Sequence, residues 1–420
     1  MIGKICLPMV LLMYMMIFNP PVFGFNCVWI VMAVSLVYTG LNFKWIREHL
    51  DFKRILFAEA ASGALLAWGV AMALLNRNPP TEFAYIVYWM AADIPFAIGC
   101  WVFLRKKGLG FEELLDHILW AGLVMAFTAI LAFFIKPVKD LFTGAMESYG
   151  IPYVKNLSVY RHYGLAANLT STATYAEAML ACVALYRGLR GKAGWLAAFP
   201  ALAFAANINS RTSIFMILAG LAAVFLAQLF SKNLKEIGKC AAALALAWCA
   251  AHFGMELVRL VQPETYKWLT TGVEQVTELV TEGKSEWGYF WRLKQDIRNL
   301  PKGSRLFFGV GLGILWDNKY GVTSDVGFVE DMWRGGLVFT LALLFLYGRT
   351  LWRILRCKAL EKRDGIFFGG LFFVIFLINN VKGSFFIHSD VTAVIWMTIP
   401  ALLWNREEKD APAGTALKES

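Results

Sequence analysis

The chain has 420 residues, of which 58% are hydrophobic, 15% are aromatic and only 17% are charged. In a soluble domain about a quarter of all residues are charged, so this composition excludes an ordinary soluble protein. The formal net charge is +10, but the basic residues cluster in connections between apolar runs, which argues against nucleic-acid binding.

Apolar segments recur along the whole chain, many of them close to the length of about 20 residues that a transmembrane helix needs. The first is followed by Pro20-Pro21 and a second apolar run, without a small-residue cleavage site between them. We therefore expect a retained helix rather than a signal peptide. The predicted transmembrane helices are residues 5–18, 25–41, 55–75, 83–104, 115–135, 166–186, 194–208, 212–230, 240–256, 326–348, 366–380 and 385–404.

Basic residues lie at every second connection, as the positive-inside rule requires of cytoplasmic loops. With these loops inside, twelve helices put both termini in the cytoplasm. The sequence predicts one all-α polytopic transmembrane domain over 1–404, with long outer loops at about 136–165 and 257–325 and a disordered tail over 405–420. The basic clusters are Lys44, Arg47, Lys53 and Arg54; Arg105, Lys106 and Lys107; Arg187, Arg190 and Lys192; Lys232, Lys235 and Lys239; and Arg349, Arg353, Arg356, Lys358, Lys362 and Arg363.

Three arginines lie at separate positions on the predicted outer face. Arg161 is in "SVYRHYGL", Arg211 in "NINSRTS" and Arg292 in "SEWGYFWRLKQDIRNLP". One arginine at a helix end commonly snorkels to lipid headgroups without another role. Three on one face favour a shared anion, because the planar guanidinium matches phosphate oxygens in a bidentate fork. A lipid phosphate or diphosphate is the natural anion at that depth.

Other residues near these arginines are candidates for a substrate loop. His162 is the one histidine of five that lies inside these stretches, and Arg298 lies beside the apolar stripe of a predicted interfacial helix. The segment "GVGLG" contains Gly309, Gly311 and Gly313. A dinucleotide-binding site would need a strand and a helix around these glycines, and the sequence shows no such unit. We therefore expect the glycines to give a substrate loop a flexible backbone.

Three acids lie within seven residues at the mouth of the tenth predicted helix: Asp325, Glu330 and Asp331. Ser324 or Asp325 suits the helix N-cap, and acidic residues suit its positive end. Three acids exceed what a cap needs, so one of them is a candidate general base for an acceptor hydroxyl. The outer loops contain no DxD pair and no His/Asp metal spacing, so we expect neither a metal nor a cofactor.

Two further acids, Asp93 and Glu177, lie within apolar runs. Intramembrane carboxylates are functional candidates, and proton coupling in a transporter is one use for them. A transporter therefore stays open as an alternative to an enzyme.

The ordered motifs resemble the O-antigen polymerase/O-antigen ligase superfamily of bacterial envelope glycosyltransferases, which have a GT-C membrane fold. The matching pieces are "RHYGL" before a helix, "SRT" opening a later one, "RLKQDIRNLPKGSRLFFGVGLG" in the large outer loop and "SDVGFVEDMWRGGLV" leading into the next helix. Ligases carry a His-Asn pair where this sequence has Ser324-Asp325, so the resemblance favours a polymerase.

The resemblance implies an inner-membrane enzyme of lipopolysaccharide biosynthesis whose active site faces the periplasm. It would transfer a growing glycan from undecaprenyl diphosphate to a lipid-linked repeat unit, inverting the anomeric centre without a metal or cofactor. Membrane lipids and a chain-length regulator protein are the expected partners. The implied roles are diphosphate binding for Arg211 and Arg292 with help from Arg161, and general base for Asp325, with Glu330 and Asp331 behind it.

Two alternatives remain. An O-antigen ligase would pass the glycan to the lipid A-core, and a flippase would move the lipid-linked oligosaccharide across the membrane without chemistry.

Overall fold

A computed structural model of the chain describes residues 4–21, 24–151, 154–167, 171–230, 234–282, 295–314, 319–324, 326–357, 360–382 and 390–406. Helices and their connections make up these ranges, and the one β interaction among them is an isolated bridge between Leu50 and Asn405. The prediction of an all-α chain is confirmed.

The first half of the chain up to residue 167 folds into helices of very different length. A π-helical turn, Trp89–Asp93, joins the fifth helix to the sixth. The helices are α1 (Leu7–Phe18), α2 (Val28–Leu41), α3 (Phe43–His49), α4 (Phe52–Leu75), α5 (Ala84–Tyr88), α6 (Ile94–Lys106), α7 (Phe111–Phe134), α8 (Lys136–Ser148) and α9 (Val154–Ser158).

The second half continues the same way and ends in a second π-helical turn, Pro400–Trp404. Its helices are α10 (Ser171–Leu189), α11 (Gly194–Asn207), α12 (Thr212–Leu229), α13 (Leu234–Val261), α14 (Pro263–Glu282), α15 (Ser304–Phe308), α16 (Gly327–Leu355), α17 (Lys362–Lys382) and α18 (Asp390–Ile399).

Seven helical segments of the described ranges are long and apolar enough to cross a membrane, and the bent pair of α2 and α3 would make an eighth. This count agrees with a multi-pass helical membrane protein, and the number of twelve crossings stays a prediction. Each of the twelve predicted segments overlaps a helix, but α1, α11 and the segment Asp390–Trp404 are shorter apolar helices.

The helix α10 is a special case, because it is enclosed by the other helices. It packs against α7, α11, α12, α17 and α18, and almost all of its side chains from residue 173 onward are buried. A helix that contacts other helices instead of lipid can carry small and polar residues. This explains why the hydropathy of α10 is modest.

Two glycines allow the close packing of neighbouring helices on α10. A Cβ at Gly122 of α7 would lie 2.6 Å from Leu180, and one at Gly220 of α12 would lie 2.3 Å from the Cys182 sulfur. Small residues bring membrane helices together because dispersion contacts between closely packed backbones drive their association.

The basic connections gather at one end of the bundle, which we call the basic end. Arg187, at the end of α10, pairs with Asp116 at the start of α7 at 2.5 Å. Lys192 reaches the same carboxylate at 2.8 Å, and Arg190 lies 3.6 Å from Asp364 at the start of α17.

The predicted outer connections lie at the other end, which we call the opposite end. Asn78, after α4, donates to the Val310 carbonyl at 2.6 Å. Gln262, between α13 and α14, donates to the carbonyl of Phe133 at the end of α7 at 3.2 Å. The amphipathic helices α8 and α14 lie in the two long connections at this end, so part of each connection is helical.

Candidate functional site

The segment Tyr160–Tyr163 is held by hydrogen bonds to two other parts of the chain. The His162 amide donates to Oδ1 of Asn209, in the turn between α11 and α12, at 2.8 Å. The Thr265 hydroxyl, in the first turn of α14, donates to the Tyr160 carbonyl at 3.0 Å. The stretches "SVYRHYGL" and "NINSRTS", which are 47 residues apart at this contact, therefore meet beside α14.

Arg161 and Arg211 converge on the indole ring of Trp268. Their guanidinium carbons lie 5.1 and 5.3 Å from the ring centroid, which is within the range of a cation–π contact. Trp268 also stacks on Tyr160, with ring centroids 5.2 Å apart and an interplanar angle of 27°. We call Arg161, Arg211 and Trp268 the arginine site.

The guanidinium of Arg211 lacks an anionic partner in the described part of the chain. It makes no ion pair or side-chain hydrogen bond there, whereas Arg161 donates to the Tyr163 hydroxyl at 3.0 Å. Both arginines are half-buried. Burial and the positive charge of Arg161 lower the pKa of Arg211, yet a guanidinium stays protonated in proteins. The site therefore presents concentrated positive charge in a partly desolvated setting.

His162 lies in the buried interior beside the arginine site. Its side chain is fully buried, its Nε2 lies 2.9 Å from the Thr265 hydroxyl, and its ring meets Phe133 edge-on at 4.9 Å. Burial, with a contribution from Lys139, lowers the pKa of His162 to about 3. The imidazole is therefore neutral at physiological pH and positions Arg161, next to it in the chain.

Three other predicted site residues belong to the large outer connection by their position in the sequence. Arg292 and Asp325 lie outside the described residues. Arg298 is exposed in a short 3-10 turn, and its neighbour Asn299 accepts a hydrogen bond from the Trp333 indole at 2.7 Å. This contact ties the turn to the start of α16.

The glycines of "GVGLG" serve close packing rather than the flexibility that we inferred from the sequence. Gly309 and Gly311 have φ values of 71° and 74°, a region that disfavours other residues. A Cβ at Gly311 would lie 2.1 Å from the Cα of Ala73. The amides of Val310 and Gly311 donate to the Trp333 and Arg334 carbonyls at 2.7 and 2.8 Å, which fixes this segment on α16.

Glu330 and Asp331 belong to a buried ion cluster around Arg334, which we call the Arg334 cluster. Arg334 lies 2.7 Å from Glu330, 3.4 Å from Asp331 and 3.1 Å from Glu82. Both acids of α16 are 1% exposed. Gly313 covers the cluster, since a Cβ there would lie 2.5 Å from the Glu330 carboxylate. These acids are therefore engaged in an ion cluster, and Asp325 remains the first candidate for the base.

The helix α16 is broken directly after the Arg334 cluster. Gly336 has φ 71° and ψ −170° inside it, and a Cβ there would lie 2.3 Å from the Phe307 carbonyl oxygen. The break frees the carbonyls of Trp333 and Arg334 from the helix, so they can accept the amides of the glycine segment.

The sequence did not reveal Trp268 of the arginine site, Thr265 beside it, or Arg334 and Glu82 of the Arg334 cluster. Arg334 follows Glu330 and Asp331 at i+4 and i+3, which is the spacing of a helical ion pair. This signal was available in "EDMWR". Trp268 and Glu82 are far in sequence from the residues that they contact. Their contacts therefore depend on the tertiary fold and leave no local pattern in the sequence.

The two intramembrane acids are both buried. Asp93 is 1% exposed in the first π-helical turn, and Glu177 is fully buried in α10. Within the described residues, neither carboxyl oxygen of Glu177 has a hydrogen-bond partner, and Asp390 of α18 lies within electrostatic range.

No protein-family model matches the chain, and no curated protein is significantly similar to it. The function is therefore argued from the geometry of the arginine site.

Proposed function

We propose that this chain is an O-antigen polymerase, a membrane glycosyltransferase that takes its glycan from undecaprenyl diphosphate. The observation that carries the proposal is the convergence of Arg161 and Arg211 on Trp268. These arginines come from two of the four motifs that resemble the superfamily, and they are separated in sequence but adjacent in the bundle.

The chemistry of the arginine site suits a diphosphate. Arg211 needs an anion, because nothing among the described residues neutralises it, and Arg161 adds repulsion of the same sign. A diphosphate carries oxygens enough for two bidentate guanidinium contacts, each charge-assisted and stronger than a neutral hydrogen bond. Partial burial strengthens this attraction, because the effective dielectric constant is lower than in water.

The topology that we propose has twelve crossings, both termini in the cytoplasm and the opposite end in the periplasm. The support is the gathering of Arg187, Arg190 and Lys192 with other basic connections at one end, as expected of cytoplasmic loops. The arginine site would then face the periplasm of the inner membrane, where a lipid-linked glycan is displayed.

The reaction joins an acceptor hydroxyl oxygen to the anomeric carbon and breaks the bond from that carbon to the diphosphate. Asp325 would take the hydroxyl proton, and the electron pair of the broken bond would leave on undecaprenyl diphosphate. Arg161 and Arg211, with Arg292, would stabilise the charge that develops on this leaving group. Direct displacement inverts the anomeric centre, and the arginines supply the positive charge that a metal would otherwise provide.

The test is glycan polymerisation in proteoliposomes that contain lipid-linked repeat units, resolved as a ladder on a gel. We expect Arg211→Ala and Arg161→Ala to lose more than 90% of chain extension, a change of roughly tenfold or more for loss of a charged hydrogen-bonding group. Arg259→Ala is the matched control, since Arg259 is exposed near the opposite end and pairs with Glu256 on its own helix. Full extension by both site variants would overturn the proposal.

A deletion strain separates the polymerase from its alternatives. A single repeat attached to the lipid A-core supports the polymerase. Bare core with accumulated lipid-linked polymer would instead identify a ligase, and loss of all periplasmic repeat units would identify a flippase. A chain-length regulator protein, if it acts on this enzyme, would alter the length distribution and not the presence of the ladder.

A further inference from the structure

A groove at the basic end has no part in the chemistry proposed above. Its cavity volume is about 110 Å³, so it is a narrow groove with room for part of a long ligand. It lies between α4, α16, α18 and the two π-helical turns. Phe57 lines the groove and is 43% exposed, so the groove reaches the outer surface of the bundle.

The lining of this groove changes from charged to apolar along its length. Arg54, Arg349 and Arg353 line it at the basic end, whereas Leu343 and Ile395 line it nearer the middle of the bundle. From Leu343 to Arg353, α16 rises by about 15 Å. The cations at one end of this groove would complement the anionic headgroup of a lipid, and the apolar channel behind them would complement its acyl chain.

The arginines of the groove carry more positive charge than their surroundings neutralise. Arg54 pairs with Asp51 at 2.9 Å and also donates to the Leu403 carbonyl. Arg349 and Arg353 make no ion pair or side-chain hydrogen bond with the described residues; Arg349 lies over the Phe57 ring at 4.1 Å. Like charges at i and i+4 of a helix repel each other, so an anion bound between them would stabilise this end of α16.

We propose that this groove binds an anionic glycerophospholipid of the bilayer, with its phosphate at Arg349 and Arg353 and an acyl chain along the channel toward Leu343. Basic pockets between membrane helices recognise lipid headgroups in this way. The headgroup charge complements the two arginines, and the exposed edge at Phe57 gives the lipid an entry from the side. The site does not depend on which reaction occurs at the opposite end.

The test measures lipid binding to the purified full-length chain in detergent by native mass spectrometry. The probes are phosphatidylglycerol and phosphatidylcholine with identical acyl chains. We expect the wild-type chain to prefer phosphatidylglycerol. The double variant Arg349→Gln/Arg353→Gln should bind it about 30-fold more weakly, because each arginine near an anionic headgroup contributes to affinity.

Two further variants keep this result interpretable. Arg356→Gln is the matched control, since Arg356 follows the same helix but lies over Trp352 at 3.7 Å and does not line the groove. Ala61→Phe fills the channel without changing charge, so it should weaken binding of both lipids. It tests the site independently if the double variant does not fold. Equal binding of the two lipids by the wild-type chain, or an unchanged preference in the double variant, would overturn the proposal.

Discussion

Replacing Trp268 by leucine tests whether the indole ring positions the two arginines for the proposed transfer. The ring contacts Arg161 and Arg211 at 5.1 and 5.3 Å. Each partly exposed cation–π contact contributes about 0.5–1 kcal/mol. Loss of both would therefore weaken positioning by about 1–2 kcal/mol, which corresponds to a fall in kcat/KM of roughly 5- to 30-fold.

The assay is single-cycle glycan transfer between lipid-linked repeat units in proteoliposomes, with the donor concentration varied. Trp268→Leu should lower kcat as well as raise the KM for the donor, because charge on the diphosphate grows as the bond breaks. Trp268→Phe keeps an aromatic face and should recover most of the activity, which a purely structural role for the side chain would not predict.

The control is Trp352→Leu, which removes the same kind of contact with Arg356 at the basic end. This variant should transfer glycan at the wild-type rate. The reasoning fails if Trp268→Leu stays within twofold of the wild-type rate while Arg211→Ala is inactive. In that case the arginines bind the donor without help from the ring, and the proposed function itself would survive.

Three further predictions concern Arg211, Arg334 and His162. Arg211→Lys keeps the charge but loses bidentate geometry, so polymerisation should fall several-fold, less than in Arg211→Ala; polymerisation at the wild-type rate by Arg211→Lys would refute the geometric argument. Arg334→Met leaves two buried carboxylates, Glu330 and Asp331, and the partly exposed Glu82 without their cation, and it should destabilise the fold by about 3–5 kcal/mol, measured by thermal unfolding in detergent. Adding Glu330→Gln should recover part of that loss, and no recovery would contradict the cluster. Because the pKa of His162 is lowered to about 3, stability should be complete above the unfolded-state pKa of about 6.5 and fall by up to about 1.4 kcal/mol per pH unit as the pH drops from there toward 3. Unfolding of His162→Gln should depend less steeply on pH over that window, and identical slopes would refute this origin.

The positions of the apolar helices could be predicted from the sequence because hydropathy is a local signal. The predicted segment 212–230 coincides with α12, Thr212–Leu229, and the basic run at Arg187 lies at the end that the alternation predicts. The helix α14 was missed because its residues are mostly polar and it lies in a predicted outer loop. Its apolar side chains face one side, which is the pattern of an interfacial helix.

The arginine site could be predicted only in part, for a related reason. Helix-end arginines are visible in a sequence, and so Arg161 and Arg211 were identified together. Their distance depends on how α10, α11 and α12 pack, and Trp268 reaches them from a helix that hydropathy did not reveal. The glycines of "GVGLG" could also be seen in the sequence. However, position 311 requires glycine because the backbone of Ala73, on another helix, leaves no room for a Cβ, and this contact leaves no local pattern in the sequence.

Charge balance distinguishes the two arginine-containing clusters at the opposite end. Arg334 has carboxylates from Glu82, Glu330 and Asp331 around it, so its charge is more than neutralised before any ligand arrives. An anionic diphosphate would be repelled there, and the cluster is suited to holding the glycine segment on α16. Arg211 has no such partner among the described residues and is repelled by Arg161. Because an unpaired half-buried cation gains most from an anionic ligand, we propose Arg211 as the site of the diphosphate and a scaffolding role for the Arg334 cluster.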